Sequence, residues 1–196
     1  MTIFIGSKEK HAVRVISGTA RGTRLKTPEG LLTRPTTDRV KEAVFSIIQF
    51  EIEGRRFLDL FAGSGQMGIE ALSRGASRAV FVDGRREACS LVQENLKRTK
   101  LAQQAQVVQS YYLSYLDRCR ETFDLVFLDP PYAEEFLENS LKRISEIDIL
   151  SDHGIIICER PAEKQLDFAI PGLQRGKDYR YGKTWITLFR KAAAPV

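Results

Sequence analysis

The chain has 196 residues, of which 43% are hydrophobic and 28% charged, with a formal net charge of +5 and a sequence pI of about 9.2. This composition is typical of a globular protein with one core, and the length is too short for two full domains. No apolar run approaches the roughly 20 residues that cross a bilayer, and no secretory segment is visible, so we expect a cytoplasmic protein without membrane contact. Three widely spaced cysteines and two histidines argue against a disulfide framework and against a bound metal.

The N-terminal part of the chain is strongly basic. Residues 1–12 are polar and unpatterned, and we leave them outside the fold prediction. Residues 13–30 predict short strands broken by glycines, most simply a β-hairpin, and residues 36–51 predict an amphipathic helix. Between Arg14 and Lys41 there are seven basic residues against two acidic ones. This surplus favours either a polyanionic partner or a solvated surface, and charge alone does not choose between them.

Strands and helices alternate through the rest of the chain. Strand-like runs are 57–61, 79–83, 106–109, 124–129 and 154–158, and helical patterns lie between them at 66–74, 86–98, 112–120 and 134–146. This alternation predicts βαβ units with right-handed crossovers and a mostly parallel sheet covered by helices. Residues 174–191 predict an antiparallel hairpin that turns near Gly182 and ends the sheet. We therefore predict a doubly wound, Rossmann-like α/β domain at 53–191, preceded by a hairpin and helix extension at 13–52 and followed by a tail at 192–196.

A glycine-rich loop follows the first strand of this domain. Gly63, Gly65 and Gly68 fit G-x-G-x-x-G, and Asp83 lies about 20 residues further on, as in a dinucleotide site. The glycines allow a ligand to lie against the main chain, but they do not distinguish a pyrophosphate from an uncharged adenosine. Asp59, directly before the loop, is unfavourable beside a pyrophosphate and favourable beside the ammonium group of S-adenosylmethionine. It could instead only cap the following helix.

A second motif, Asp129-Pro130-Pro131-Tyr132, follows the fourth strand and opens into the same crevice. The prolines stiffen the chain and leave its carbonyl groups pointing outward. The Asp129 carboxylate and the Pro130 carbonyl can each accept a hydrogen bond from an exocyclic nucleobase amine and so aim its lone pair at a sulfonium methyl group. Tyr132 would stack on the base. The motif therefore favours methyl transfer to a base amine over a nicotinamide or flavin oxidoreductase, which has no use for it.

The sequence resembles the class I S-adenosylmethionine-dependent amino-methyltransferases. The resemblance rests on three motifs in this order: DLFAGSG, an acidic residue at the end of the next strand, and DPPY. With 14-RVISGTARGTRLKTPEG-30 and 34-RPTTDRVKEAVFSII-48, the resemblance narrows to the bacterial 16S ribosomal RNA guanine-N2-methyltransferases, from about Arg14 to Arg190. It implies S-adenosylmethionine as cofactor and S-adenosylhomocysteine as product. We also expect no metal and a monomeric protein. It also implies 16S ribosomal RNA as partner, either naked or within a small-subunit particle.

The resemblance assigns roles to individual residues. The implied catalytic residues are Asp129, Pro130, Pro131 and Tyr132. The implied cofactor contacts are Asp59, Phe61, Ala62, Gly63, Ser64, Gly65, Asp83, Ser110 and Tyr111, with Thr36 at the mouth of the site. Ser110 departs from the class pattern, because many members have Asp there to hold the adenine amino group. The predicted RNA contacts are Arg14, Arg21, Arg24, Lys26 and Arg34, with Arg21 and Arg24 as an opposed pair in the hairpin.

Two alternatives remain open at this point. DNA adenine and cytosine amino-methyltransferases share DPPY, although a chain of this length has little room for a target-recognition domain. A non-catalytic nucleic-acid-binding module is the other alternative, and the intact Asp59, Asp83 and Asp129 argue against it. Asp129 suits guanine, whose N1–H and N2 amine are adjacent donors. In either enzyme the target base must lie in a loop or be flipped out of a duplex.

Overall fold

The computed structural model describes residues 13–28, 38–131, 134–163 and 166–192. The helices are α1 (Asp38–Ile47), α2 (Gln66–Ser73), α3 (Arg86–Thr99), α4 (Tyr112–Arg118) and α5 (Glu134–Glu146). The strands are β1 (Arg56–Asp59), β2 (Arg78–Asp83), β3 (Ala105–Gln109), β4 (Phe123–Leu128), β5 (Leu150–Pro161), β6 (Leu173–Tyr181) and β7 (Thr184–Lys191). Among these helices none is long and apolar enough to span a bilayer.

All seven strands belong to one sheet, in the order β3-β2-β1-β4-β5-β7-β6. Strands β1 to β5 are mutually parallel, and β7 runs antiparallel between β5 and β6. The strand order reverses at β1 and β4, and in folds of this type ligands bind beyond the carboxyl ends of the strands at that reversal. The predicted doubly wound sheet with a C-terminal antiparallel hairpin is confirmed.

The sheet is buried on both faces, as its nearly continuous apolar strands require. In β4, Leu125 and Phe127 pack in the core that lies beneath α1, α2 and α3. Their neighbours Val126 and Leu128 pack in the opposite core beneath α4 and α5. The two cores hold the central strands rigidly, so the loops at their carboxyl ends start from fixed positions.

Gly68 determines how closely α2 approaches the sheet. A Cβ atom at this position would lie 2.3 Å from Cε1 of Phe81, a fully buried residue of β2. We expect Gly68→Ala to lower the free energy of unfolding by about 1–3 kcal/mol, because the packed core resists the added methyl group. Urea denaturation would measure the change. Gly84→Ala is the control, since the nearest atom to its new Cβ would be 3.9 Å away, and an equal loss in both variants would contradict the packing role.

The N-terminal extension packs against α2 as a small hairpin. Its arms are joined by one β-bridge, between Arg14 and Arg24. The fully buried carboxylate of Glu70 in α2 accepts hydrogen bonds from the backbone N–H groups of Ile16 (2.8 Å) and Ser17 (3.0 Å). The extension is therefore held to α2 through its main chain.

Lys41 has a structural position that its sequence context does not suggest. Its side chain is fully buried, its ammonium group lies 3.7 Å from the Glu70 carboxylate, and it donates a hydrogen bond to the Arg14 carbonyl. Burial lowers the pKa of Lys41, and the Glu70 carboxylate opposes that shift. Lys41 therefore joins α1, α2 and the hairpin internally and does not contribute to an exposed basic surface.

Candidate active site

Three carboxylates lie at the carboxyl ends of adjacent parallel strands. Asp59 is the last residue of β1, and its register partners are Phe81 in β2 and Phe127 in β4. Asp83 and Asp129 each follow one of these partners by two residues, which places them about 7 Å further along the strand direction. Asp59 thus lies at the floor of a crevice at the strand-order reversal, and the other two acids lie at its rim.

Asp59 is buried, with 2% of its surface exposed, and its carboxylate accepts a hydrogen bond from the Gly68 N–H group of α2 at 3.2 Å. This is the helix-capping contact that the sequence allowed. Burial raises the pKa of Asp59 to about 7, the nearby Asp83 carboxylate adds to the shift, and the Gly68 hydrogen bond opposes it. A cation bound in the crevice would favour the ionised form of this carboxyl group.

Asp83 connects β2 to the glycine loop. One carboxylate oxygen accepts a hydrogen bond from the Gly63 N–H group at 3.0 Å, and the other accepts one from the Arg85 backbone at 2.9 Å. The Arg85 guanidinium group also bonds to Asp83, at 3.2 Å, while 55% of its side chain is exposed. A ligand diol at Asp83 would therefore share the carboxylate with Arg85. The role of Arg85 was not predicted from the sequence. The sequence indicates only that a basic residue follows the end of β2 by two positions.

The glycine loop exposes main chain to the crevice. Gly63 and Gly65 have φ values of +54° and +77°. This left-handed conformation is unfavourable for residues other than glycine. A Cβ atom at Gly63 would meet no atom within 4 Å, so the space beside the loop is open to a ligand. Ala62 and Ser64 are buried beneath it.

Two further polar side chains at the loop were not found from the sequence. Asn95, fully buried on α3, donates hydrogen bonds to the carbonyl groups of Ser64 (2.9 Å) and Lys26 (3.0 Å), and so ties the hairpin to the loop. Gln66, the first residue of α2, has a buried Oε1 atom without a hydrogen-bond partner in the described ranges. Burying an acceptor without a donor is costly. A donor group on a bound ligand would satisfy it.

Aromatic rings line the β3 side of the crevice. Tyr112 lies at the centre of the group, with its ring centroid 5.2 Å from that of Phe61, 4.7 Å from Tyr111 and 5.3 Å from Phe136. Tyr111 is 53% exposed, which is high for a large apolar ring. The backbone N–H group of Ser110 donates to the Asp83 carbonyl at 3.1 Å, so these rings lie beside the end of β2. They offer a surface on which an adenine could stack. Tyr112 and Phe136 were not identified from the sequence.

The proline loop begins directly at the end of β4. Asp129 and Pro130 are half-buried, and Pro131 is exposed. Tyr132, Thr36 and Arg34 lie outside the described residues. Across the ranges that are described, no cluster of three or more His, Cys, Asp or Glu side chains could hold a metal ion.

The four predicted RNA contacts within the described residues, Arg14, Arg21, Arg24 and Lys26, are exposed but do not form a single surface. Arg24 is paired with Arg14 and not with Arg21, because the hairpin turn spans residues 18–22 and Arg21 lies within it. That turn packs against the last residue of α2, where the Thr19 N–H group donates to the Ser73 carbonyl at 2.8 Å. Arg21 is therefore at the edge of the sheet opposite the crevice, and its predicted opposition to Arg24 is wrong.

Lys26 and Arg14 already have acidic partners. Lys26 forms an ion pair with Glu94 of α3, and Arg14 lies 3.8 Å from Asp38 of α1. All four groups are substantially exposed, so these pairs are weak in water and can exchange for contacts to another polyanion.

The strand order, the glycine loop after β1, the acid at the end of β2 and the proline loop after β4 together define a class I methyltransferase domain. The chain belongs to the family described as Conserved hypothetical protein 95, whose model matches residues 13–190.

Named relatives and a solved structure agree with this assignment. The chain is 42% identical over 182 residues to YlbH of Bacillus subtilis, which is provisionally named an rRNA methyltransferase; the match covers 91% of this chain and 99% of that one. It is 36% identical over 154 residues to ribosomal RNA small subunit methyltransferase D of Escherichia coli K12, covering 79% and 77%. The solved structure of Escherichia coli yhhF superposes with a TM-score of 0.84 at 31% identity, covering 93% and 99%. The predicted relationship to the 16S ribosomal RNA methyltransferases is confirmed.

Proposed function

We propose that this protein transfers the methyl group of S-adenosylmethionine to the N2 amine of a guanine in 16S ribosomal RNA. The observation that carries the proposal is the position of the Asp129-Pro130-Pro131 loop beside buried Asp59, at the strand-order reversal of a methyltransferase sheet. The name of the Bacillus subtilis relative supports ribosomal RNA as the substrate, and that of the Escherichia coli relative supports the RNA of the small subunit. The choice of guanine N2 is supported by the Asp129 carboxylate, which can accept hydrogen bonds from two adjacent donors.

The residues around the glycine loop fit the chemical groups of S-adenosylmethionine. The Asp59 carboxylate suits the ammonium group, and the unpartnered Oε1 atom of Gln66 can accept a further hydrogen bond from it. Asp83 suits the ribose hydroxyls, once Arg85 yields part of its contact. The rings of Phe61 and Tyr111 suit the adenine. When bound, the cofactor supplies a methyl group on a positively charged sulfur.

The protein's own contribution to the reaction is to orient the acceptor. An exocyclic amine is a poor nucleophile because its lone pair is delocalised into the base. The Asp129 carboxylate and the Pro130 carbonyl accept its two N–H groups and direct the lone pair outward, which lowers the entropic part of the barrier. Methyl transfer would form the new N–C bond as the bond from sulfur to the methyl carbon breaks, and would place positive charge on the nitrogen. Asp129 would stabilise this charge electrostatically, and the product amine would then lose a proton to Asp129 or to water.

The class of acceptor can be tested directly. Radiolabelled S-adenosylmethionine would be supplied with small ribosomal subunits lacking the modification, with their naked RNA, and with duplex DNA. We expect label in the RNA or in the subunits, and the preferred one identifies the form that is recognised. Label in duplex DNA alone would contradict the proposal and favour a DNA amino-methyltransferase. A protein that binds RNA but labels none of the acceptors would favour the non-catalytic alternative.

The two arginines of the hairpin bridge, Arg14 and Arg24, should contribute to RNA binding. We expect the double variant Arg14→Gln, Arg24→Gln to bind small-subunit RNA more weakly and to lower the slope of log K against log salt by about 1–2, since each lost phosphate contact removes roughly 0.7–0.9. Filter binding at several salt concentrations would measure this slope. Arg21→Gln is the control, because Arg21 lies at the far edge of the sheet. A larger effect from Arg21 than from the pair would show that the hairpin tip faces the RNA.

A further inference from the structure

The C-terminal hairpin has a basic surplus as large as that of the N-terminal segment. Residues 173–191, which form β6, β7 and their turn, contain six basic side chains and one acidic side chain. Three of the six have ion pairs: Arg175 with Asp178 (2.6 Å), Arg190 with Glu51 (3.7 Å), and Lys191 with Asp148 (2.6 Å). The other three are exposed and form no ion pair within the described residues: Lys177, Arg180 and Lys183.

These three cations are supported by aromatic rings and by a fixed turn. The Lys177 ammonium group lies 5.5 Å from the ring centroid of Tyr179, and the Arg180 guanidinium group lies 6.0 Å from that of Trp185. The Trp185 indole donates a hydrogen bond to the Ala162 carbonyl at 3.1 Å. The Ala162 N–H group in turn donates to the carbonyl of Lys183, at 2.9 Å. Lys177 and Arg180 therefore place their charged groups over aromatic rings while both side chains stay exposed to water.

Arg180 and Lys183 lie toward the same edge of the sheet as the candidate active site, whereas Lys177 is three residues before Arg180 on the outermost strand, over the ring of Tyr179. Tyr181 at the end of β6 is paired with Thr184, and Thr184 is paired with Pro161 at the end of β5. The turn with Lys183 is therefore at the carboxyl edge. Three strand spacings separate β4 from β6, so Arg180 is about 14 Å from Asp129 along this edge. When a nucleic acid places its target base at Asp129, nucleotides only a few positions from that base would be close enough to contact Arg180.

We propose that Lys177, Arg180 and Lys183 form a second phosphate-binding surface for the substrate RNA. The inference rests on the proposed function, because it takes RNA as the substrate. Positive charges without ion pairs, beside the candidate active site, are complementary to the phosphate groups of the nucleotides that flank the target base. A protein strand is a poorer occupant of this sheet edge, since β6 has an irregular register between Arg175 and Asp178 and carries cations, both of which oppose edge pairing.

The test neutralises the surface in the full-length protein with Lys177→Gln, Arg180→Gln and Lys183→Gln together. Three lost phosphate contacts should lower the salt slope of binding to naked small-subunit RNA by about 2, which corresponds to an affinity about 100-fold weaker at about 0.1 M salt. S-adenosylmethionine affinity and the thermal midpoint should remain at the wild-type values, because none of the three residues lies in the crevice or a core.

The control makes the same change in net charge at the opposite edge, with Lys97→Gln, Arg98→Gln and Arg118→Gln, three exposed residues at the ends of α3 and α4. An equal loss of slope in both triple variants would overturn the proposal, because net charge would explain it. The proposal would also be overturned if the Lys177, Arg180 and Lys183 variant kept the wild-type salt slope but began to self-associate. The three charges would then serve only to prevent β6 from pairing with another strand. If wild-type protein binds RNA with the predicted slope difference but transfers no methyl group to it, the surface stands and the proposed function fails.

Discussion

Replacement of Asp129 by alanine is expected to abolish methyl transfer while leaving the affinity for S-adenosylmethionine within a few-fold of wild type. The loss should be at least about 10²–10³-fold in kcat, the usual effect of removing one group that stabilises developing charge. Asp129 lies at the rim of the crevice and is half-buried, whereas the cofactor residues surround the loops after β1 and β2. Single-turnover transfer to RNA and equilibrium titration with the cofactor would measure the two effects separately.

Two controls make this result specific. Asp129→Asn keeps one acceptor oxygen of similar size, so it should retain more activity than alanine and lose the stabilisation of positive charge. Asp152→Ala removes a highly exposed carboxylate from the start of β5, at the far edge of the sheet, and should have wild-type kcat. Loss of cofactor binding in Asp129→Ala would contradict its assignment as the residue that orients the acceptor.

The second large effect is expected at Asp59. Asp59→Asn should weaken S-adenosylmethionine binding by at least about 30-fold, because a buried charge loses its ionic partner. The asparagine oxygen can still accept the Gly68 hydrogen bond, so the start of α2 should remain intact. Wild-type affinity should also rise with pH through about 7, where Asp59 ionises, and the variant should lack this dependence. Isothermal titration at several pH values would measure both.

The same substitution should stabilise the protein in the absence of cofactor. The pKa of Asp59 in the folded protein, about 7, is above that of an unfolded aspartate, so ionisation is disfavoured by folding. Below about pH 4 the carboxyl group is protonated in both states and imposes no such penalty; the penalty grows as the pH rises and is complete above about pH 7. Urea denaturation should therefore show the Asn variant gaining stability relative to wild type between about pH 4 and about pH 7. A constant difference across this range would contradict a carboxyl group that is buried and ionises near neutral pH.

Local patterns in the sequence were sufficient to predict most of the secondary structure. Helix α5 has the predicted bounds, 134–146, because its apolar periodicity is local information. Strand β5 was predicted at 154–158 but extends over Leu150–Pro161, since pairing with β7 as well as β4 prolongs it. Strand β1 ends at Asp59, two residues earlier than predicted, because the chain turns there into the glycine loop.

The side-chain environments could not be predicted in the same way, because they depend on contacts between distant segments. Lys41 belongs to a run of basic residues in the sequence, but the buried Glu70 carboxylate, 29 residues away, makes it an interior residue. The Arg85 guanidinium group donates hydrogen bonds to both carboxylate oxygens of Asp83, the same oxygens that are expected to bind a ribose. The three exposed cations of the C-terminal hairpin became evident only when the ion pairs of their neighbours were known.

The most direct test of the central claim is to identify the methylated nucleoside. Small subunits lacking the modification and their naked RNA would be labelled with this protein and radiolabelled S-adenosylmethionine, digested to nucleosides and separated, with the Asp129→Ala variant as the blank. The account predicts label in N2-methylguanosine. Label in any other nucleoside, N6-methyladenosine included, would contradict the assignment of guanine N2 as the acceptor.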